Sequence, residues 1–314
     1  MTLDECVKLL KEHDNFLLLT HKNPDGDTVM SAAALCRALR RKTKKAYLYP
    51  NPQLTARQRP FVEKLLAPEG FQPAFVIAVD TATEELFPYG FTGKADLCID
   101  HHPSNSHYAE HLLLEPERSA CGEIVQKLML RWTGKLTKNE ATLLYIALTT
   151  DTGAFQYANV NEQTYLSAAE LFRAGADHNA VMLRFFRKTS MERLQLEGMI
   201  YSGLKSYRDG KLVIATVTRE MMRSAGATED DCDDLAGLSG RAEKALMNVT
   251  IREMEDGSSK ISVRSAPGIS SGAVCEALGG GGHEMAAGCT IQEPPERAEA
   301  ILLDVIDAVC GEKL

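Results

Sequence analysis

The chain has 314 residues, 44% of them hydrophobic and 25% charged, with a formal net charge of -8. That is the composition of a globular chain long enough for two domains. Its acidic balance excludes broad nucleic-acid binding through a basic surface, though not a short nucleotide held in a local basic pocket. No apolar run is long enough to span a bilayer and no basic-then-apolar leader opens the chain, so a cytoplasmic location without a membrane partner is expected. The eight cysteines are scattered, with no Cys-x-x-Cys pair, and read as reduced thiols.

Residues 1–15 have the pattern of a short amphipathic helix, followed by an apolar strand over 16–20. The strand runs into His21-Lys22-Asn23-Pro24-Asp25-Gly26-Asp27, after which a helix is expected over about 28–42. His21, Asp25 and Asp27 form a borderline-to-hard N/O ligand set suited to Mn²⁺ or Zn²⁺. Pro24 stiffens the turn, and Gly26 is expected to lend backbone freedom so that the two aspartates aim differently. The plain alternative is a turn whose aspartates cap the helix. A second strand is expected at Ala46–Tyr49 and a helix near 56–67. Phe75-Val76-Ile77-Ala78-Val79 is a continuous apolar run, the pattern of a strand buried on both faces, and it ends in Asp80. Leu97-Cys98-Ile99 repeats the pattern and ends in Asp100-His101-His102. Helices follow over Ser119–Trp132 and Lys138–Thr150, the latter ending at Asp151, and another over 162–174 with Gly175 after its C-terminus.

Strands alternating with helices predict a parallel, doubly wound sheet. In such a sheet the strands' C-terminal ends share one edge, where ligands bind. Two histidines and four aspartates there suffice for two ions sharing a bridging carboxylate, the standard arrangement for phosphoester cleavage.

From about 186 to 205 the chain is charged and helix-prone, and it is expected to link two domains. Strands are expected at Lys211–Val217, Met247–Arg252 and Lys260–Arg264, and a last helix at about 295–310. The cluster Glu229-Asp230-Asp231-Cys232-Asp233-Asp234 reads as a solvated loop and helix start. Gly279-Gly280-Gly281-Gly282 closes on His283; its glycines let backbone amides approach an anion. The run is not a Walker loop, since no Gly-Lys-Ser/Thr follows. The competing reading is a flexible turn before a small-residue helix, but His283 and the upstream Arg264-Ser265 favour phosphate binding.

Taken together, these motifs resemble the DHH phosphoesterase family, named for Asp-His-His. His21-x-x-x-Asp25-x-Asp27, Asp80, Asp100-His101-His102 and Asp151 match its four motifs in order. Arg264-Ser265 and Gly280-Gly281-Gly282-His283 resemble its associated C-terminal domain. The resemblance implies an α/β fold: an N-terminal doubly wound, mostly parallel catalytic domain over 1–187, a helical linker over 188–206, and a smaller α/β substrate-binding domain over 207–314 across a cleft. It implies two Mn²⁺ ions, with Mg²⁺ or Co²⁺ as substitutes. His21 and Asp25 would hold one ion and Asp27, His101 and Asp151 the other, with Asp80 bridging. His102 would face the scissile phosphate as a catalytic group, and Asp100 would orient a histidine. Arg264, Ser265, Gly280, Gly281, Gly282 and His283 would bind substrate. Val29-Met30 stand where the family has a small residue, so helix packing near the site is expected to differ. The length most resembles the subgroup of bifunctional oligoribonucleases and pAp phosphatases, with short RNA or DNA oligonucleotides or pAp as substrate, and is compatible with a homodimer. A phosphodiesterase of linear or cyclic dinucleotides (pApA, c-di-AMP) is the alternative, and a non-catalytic nucleotide-binding module a third reading.

Overall fold

The apolar runs become strands, and their polar ends line up along one sheet edge. The computed structural model describes residues 1–232, 235–311 and 314, which fall into two units, Met1–Lys188 and Thr189–Leu314. The first unit begins with α1 (Leu3–Glu12), closed at its start by a Thr2/Glu5 capping box, and continues through β1 (Phe16–Leu19), α2 (Gly26–Arg41) and β2 (Ala46–Leu48). The helix expected over 56–67 is only α3 (Arg59–Val62) and a following single 3-10 turn. Leu66 leaves it to bridge Leu48, and Ala67 donates to Leu48 O at 2.8 Å, so the sheet edge claims those residues. Then come β3 (Phe75–Val79), β4 (Leu97–Asp100), β5 (His111–Leu114), α4 (Cys121–Thr133), α5 (Lys138–Asp151), α6 (Glu162–Arg173) and α7 (His178–Met182). β5 was not anticipated from the sequence.

The strands pair in the order β2-β1-β3-β4-β5, all parallel. The chain steps outward from β1 to β2 and returns to β3 on the other side, which makes the β1/β3 boundary the topological switch point where open α/β sheets bind ligands. One face buries Phe16, Leu18, Ile77, Val79, Leu97 and Ile99 under α1, α2, α4 and α5. The other buries Leu17, Leu19, Val76 and Ala78 beneath loop aromatics, among them Phe87, Phe91 and Tyr108. Both faces are covered, which is why these strands carry no polar alternation.

α2 and α5 cross in close contact, and Gly26 makes the crossing feasible. Its φ is not left-handed, so backbone freedom is not its role. A Cβ there would stand 2.7 Å from Thr150 Cβ and 2.6 Å from Thr150 Cγ2. The start of α2, with Asp25 and Asp27, is thereby brought against the end of α5, with Asp151. Val29 and Met30 are buried in the core without obstructing this approach.

The second unit comprises α8 (Met191–Ser202), β6 (Lys205–Tyr207), β7 (Leu212–Val217), α9 (Arg219–Ala225), β8 (Met247–Glu253), β9 (Ser259–Ser265), α10 (Ser271–Glu276), β10 (Gly281–His283), β11 (Ala286–Ile291) and α11 (Pro295–Cys310). Its mixed sheet has the order β10-β11-β9-β8-β7-β6. α8 packs Leu196 and Ile200 against Ala215, Val217 and Met222 of this unit. Of the acidic cluster, Glu229–Cys232 form a 3-10 turn in which Glu229 and Asp230 are exposed, and Glu229 pairs with Arg219 at 2.7 Å and Arg252 at 3.1 Å. Asp233 and Asp234 lie outside the described residues. All eight cysteines are free and buried, as reduced thiols require.

Candidate metal centre and candidate anion anchor

Three strand ends and one helix end converge at the β1/β3 switch point. His21 follows β1, Asp80 follows β3, Asp100 closes β4 with His101 and His102 just beyond, and Asp151 is the last residue of α5. Asp25 is the N-cap of α2, its carboxylate accepting from Thr28 N at 3.1 Å; Asp27 stands in the helix's first turn. Capping and site formation are therefore one feature at Asp25, and the two readings of the turn do not exclude each other.

Two adjoining clusters share the Asp80 carboxylate, and a third set of ligand atoms, Asp80/His101/His102, overlaps the second. In the first, His21 Nε2 stands 3.6 Å from Asp25 Oδ2 and 3.9 Å from Asp80 Oδ2. In the second, His101 Nε2 stands 3.5 Å from Asp151 Oδ2 and 3.4 Å from Asp80 Oδ1. Each of the sets His21/Asp25/Asp80 and Asp27/His101/Asp151 offers three ligand atoms within 4.8 Å of one another. Two donors each ~2.1 Å from one ion, at angles of ~90–130°, stand ~3.0–3.8 Å apart, so these separations suit a shared cation.

Both histidines are held in the tautomer a cation requires. Nδ1 of His21 donates to Lys22 O at 2.8 Å, and Nδ1 of His101 to Arg118 O at 2.9 Å. Each leaves the Nε2 lone pair facing the carboxylates, as second-layer partners of metal-binding histidines do. Asp80 carries the sharpest signal. It is buried, its φ of 56° lies in the left-handed region, and Oδ1 has no hydrogen-bond partner. A buried unpaired carboxylate oxygen is costly unless something absent from the bare chain satisfies it, and a bridging cation would do so.

The electrostatics agree. Burial, and then the carboxylates of Asp27, Asp25 and Asp151, push the Asp80 carboxyl well above its ordinary value. Burial and Asp27 raise Asp151 in the same way. Burial opposes charge on His21 and His101, but Asp25 outweighs it at the first and Asp151 with Asp27 at the second, so both imidazoles are raised. The bare site thus holds protons where cations would sit.

Asp100 is arranged differently. It is fully buried, and Oδ1 accepts from His101 N at 2.8 Å, His102 N at 3.2 Å and His102 Nδ1 at 2.7 Å. Its Oδ2 accepts from Asn105 Nδ2 at 2.6 Å. Burial opposes its ionisation, but these donors, His102 foremost, win and lower the pKa. With its oxygens so occupied, Asp100 orients His102 through Nδ1. Sequence reading missed Asn105, Ser31, whose hydroxyl donates to Asp27 Oδ1 at 2.8 Å, and Thr28, whose hydroxyl ties the turn to Val79 O at 2.8 Å. Small polar residues on apolar elements leave no pattern that singles them out.

In the second unit the glycine run begins a hairpin and not a helix: β10 and β11 pair antiparallel, and Ala286–Ile291 is a strand. A Cβ at Gly280 would lie 2.7 Å from Cys289 Cα, and one at Gly282 2.6 Å from Ala287 Cα. Those two glycines are required by backbone packing, whereas a Cβ at Gly281 would meet nothing. His283 pairs with Ala286, and Ala286 with Arg264 of β9. Directly paired residues point to one face, so the backbones of His283 and Arg264 stand two strands apart, ~10 Å, with a small residue between them; Arg264 Nη1 donates to Val263 O at 3.0 Å. Ala287 and Cys289 are buried on the opposite, core face; Arg264 and His283 are exposed. Ser265 is otherwise engaged, donating to Ile269 O at 2.5 Å and accepting from Ser271 Oγ at 2.8 Å.

A parallel α/β sheet bearing two His/Asp clusters about a shared carboxylate, with a second unit of mixed sheet, defines an α/β protein with a candidate two-cluster metal centre. The chain belongs to the DHH family: the model of the DHH family, N-terminal domain, matches residues 15–148, and that of the DHHA1 domain matches 209–312. The bifunctional oligoribonuclease and PAP phosphatase NrnA of Thermus thermophilus is 33% identical over 88% of this chain and 83% of its own. The protein of the same name from Bacillus subtilis is 26% identical over 98% of each. Among solved structures, an exopolyphosphatase-related protein from Bacteroides fragilis shares the fold with a TM-score of 0.88, at 22% identity, over 98% of this chain and 95% of that one.

Proposed function

We propose that this protein is a metal-dependent phosphoesterase that degrades short oligonucleotides to mononucleotides and removes the 3′-phosphate of pAp. The observation that carries the chemistry is Asp80, a buried carboxylate with an unpartnered oxygen between two oriented histidines. The substrate class follows the relatives, which bear the name of that dual activity across most of their length.

In this reading His21 and Asp25 hold one ion, Asp27, His101 and Asp151 the other, and Asp80 both. The mixed imidazole and carboxylate set favours Mn²⁺, with Mg²⁺ or Co²⁺ as weaker substitutes. When bound, such ions neutralise charge developing on phosphoryl oxygens and activate water. His102 acts on the scissile phosphate through Nε2. Its other nitrogen is committed to Asp100, so the ring keeps one orientation and can pass a proton only at Nε2. In the second unit, Arg264, His283 and the amide at Gly281 bind a terminal phosphate. The guanidinium's planar fork suits that group. A cytoplasmic location fits the substrates, and among the described residues no helix is long and apolar enough to cross a membrane.

The test is a panel of pAp, a short RNA oligonucleotide and a cyclic dinucleotide, each with Mn²⁺ and after chelation. Turnover of the first two that depends on the metal is expected. Turnover confined to the cyclic dinucleotide would favour the alternative phosphodiesterase, and undiminished turnover after chelation would overturn the metal reading.

A further inference from the structure

We propose that the two ion positions are held by separate clamps of side-chain amides. Asn51 and Gln58 serve the first and Asn159 the second, so single amide substitutions release the ions one at a time; the proposal rests on the two-ion reading above.

The first clamp is buried. Asn51 and Gln58 lie on the loop between β2 and α3, at 4% and 5% exposure. Asn51 Nδ2 donates to His21 O at 2.9 Å and to Thr20 Oγ1 at 3.1 Å. Gln58 Nε2 donates to Pro24 O at 2.9 Å. These two carbonyls bracket the turn that carries His21 and Asp25. That turn has no ladder of its own, and Asn23 within it has a left-handed φ of 52°. Without the amides, its carbonyls would be left without these buried donors.

The second clamp uses the segment leading into α4, which reaches every member of the other cluster. Arg118 O orients His101, while the amides of Cys121 and Gly122 hold Asp27 Oδ2 at 2.6 Å and Oδ1 at 2.9 Å. Asp151 is tied to the same segment through Asn159, whose Nδ2 donates to Asp151 O and to Ser119 O, both at 3.0 Å. Ser119 Oγ returns a bond to Asn159 O at 2.6 Å. Asn159 thus links the end of α5 to this segment by hydrogen bonds at both ends. None of these hydrogen bonds reaches a ligand of the other cluster; the clusters meet at Asp80 and along the start of α2, which carries both Asp25 and Asp27.

Asn51, Gln58 and Asn159 are thus positioning residues. Loss of a partner bonded directly to a ligating group lowers metal affinity about ten- to a hundred-fold, a ceiling for partners that act through the ligand's backbone. Asn159 is solvent-exposed and lies further below that ceiling, the buried pair closer to it.

The experiment is Mn²⁺ binding followed by electron paramagnetic resonance, which counts ions and distinguishes an exchange-coupled pair from an isolated ion. The variants are Asn51→Asp, Gln58→Glu, Asn159→Ala and the double variant Gln58→Glu/Asn159→Ala. Asn51→Asp keeps the acceptor for Gln53 N, at 3.0 Å, and removes the donor to His21 O and Thr20 Oγ1. The expected result is two ions on the unaltered protein and one tight, isolated ion on each single variant. The double variant should hold no tight ion, and melting in chelator should change little for Asn159→Ala. Single variants that weaken both ions equally or neither, or a double variant that keeps one tight ion, would overturn the clamps. Fewer than two ions on the unaltered protein would overturn the two-ion reading, and the clamps with it.

Discussion

Gly26→Ala sets two effects against each other, and the structure decides between them. On helix propensity alone, alanine at the start of α2 would gain up to ~1 kcal/mol. The added Cβ, however, would stand 2.7 Å from Thr150 Cβ and closer still to Thr150 Oγ1. Carbon atoms rest at ~3.5 Å or more, so α2 and α5 must separate by about 0.8 Å. Rotating Thr150 gives no relief, because its Cβ is itself too near and its hydroxyl is bonded to Ile146 O at 2.9 Å. Overpacking of this kind costs ~1–3 kcal/mol, which equals or exceeds that gain; the net of up to ~2 kcal/mol lowers Tm by up to ~8 °C at 2–4 °C per kcal/mol. The same shift moves Asp25 and Asp27 away from Asp151. A displacement near 1 Å at a reacting centre costs about a hundred-fold in rate, so kcat should fall more than stability does. The assays are melting in chelator, Mn²⁺ titration and turnover of pAp. Thr150→Gly removes every atom named in the clash and should restore turnover to Gly26→Ala, despite the ~1 kcal/mol a helical glycine costs. Unchanged melting and turnover in Gly26→Ala would refute the close-approach reasoning.

Arg264→Ala should raise KM for pAp about ten- to a hundred-fold, for a lost charged hydrogen bond of ~1.5–3 kcal/mol, and leave a small chromogenic phosphodiester nearly unaffected; equal loss on both substrates would mean Arg264 does not anchor a terminal phosphate. The metal-stripped protein should melt at progressively lower temperature as pH rises from about 5 to 8. Asp80, Asp151, His21 and His101 all have folded pKa values above their unfolded ones, so their contribution is present at low pH and lost as pH rises through the raised values. Asp100 is lowered, and its contribution is already complete above about pH 5. A Tm in chelator that stays flat or rises over that range would contradict this, and Mn²⁺ should reduce the decline.

The parts of the site legible in the sequence are those where a continuous apolar run stops at a charged residue. Val79 followed by Asp80, and Ile99 followed by Asp100, announce a buried strand and its polar end at once, because both signals lie in adjacent residues. Less legible is whatever depends on a neighbour distant in sequence. Arg118 enters through its carbonyl and Cys121 and Gly122 through their amides, which any residue type possesses. Gly26 looks like a turn glycine until Thr150, on a different helix, is placed beside it. The glycine run looks flexible for the same reason: Gly280 and Gly282 are explained by β11, which lies beyond the next turn. β5 is short and follows a polar loop, so its three leucines carry no periodicity.

The candidate metal centre is unfavourable as a bare structure, and its position in the fold explains why the chain tolerates it. Asp80 has a left-handed φ, a conformation costing of order 1–3 kcal/mol outside glycine, although aspartate is among the residues that adopt it most readily. The backbone is held there by Asp80 N donating to Ile99 O at 2.8 Å, one bond past the end of the β3–β4 ladder. A straight continuation of β3 would send consecutive side chains to opposite faces of the sheet. The left-handed residue breaks that alternation and leaves the Asp80 carboxylate at the edge, between His21 from β1 and His101 from β4. The strain and the crowding of carboxylates thus have one origin, a carboxylate placed within reach of both histidines. Rigid strands on either side and a sheet buried on both faces supply the stability against which that cost is set. Cations that satisfy Oδ1 of Asp80 would relieve the repulsion among the carboxylates and leave only the backbone strain.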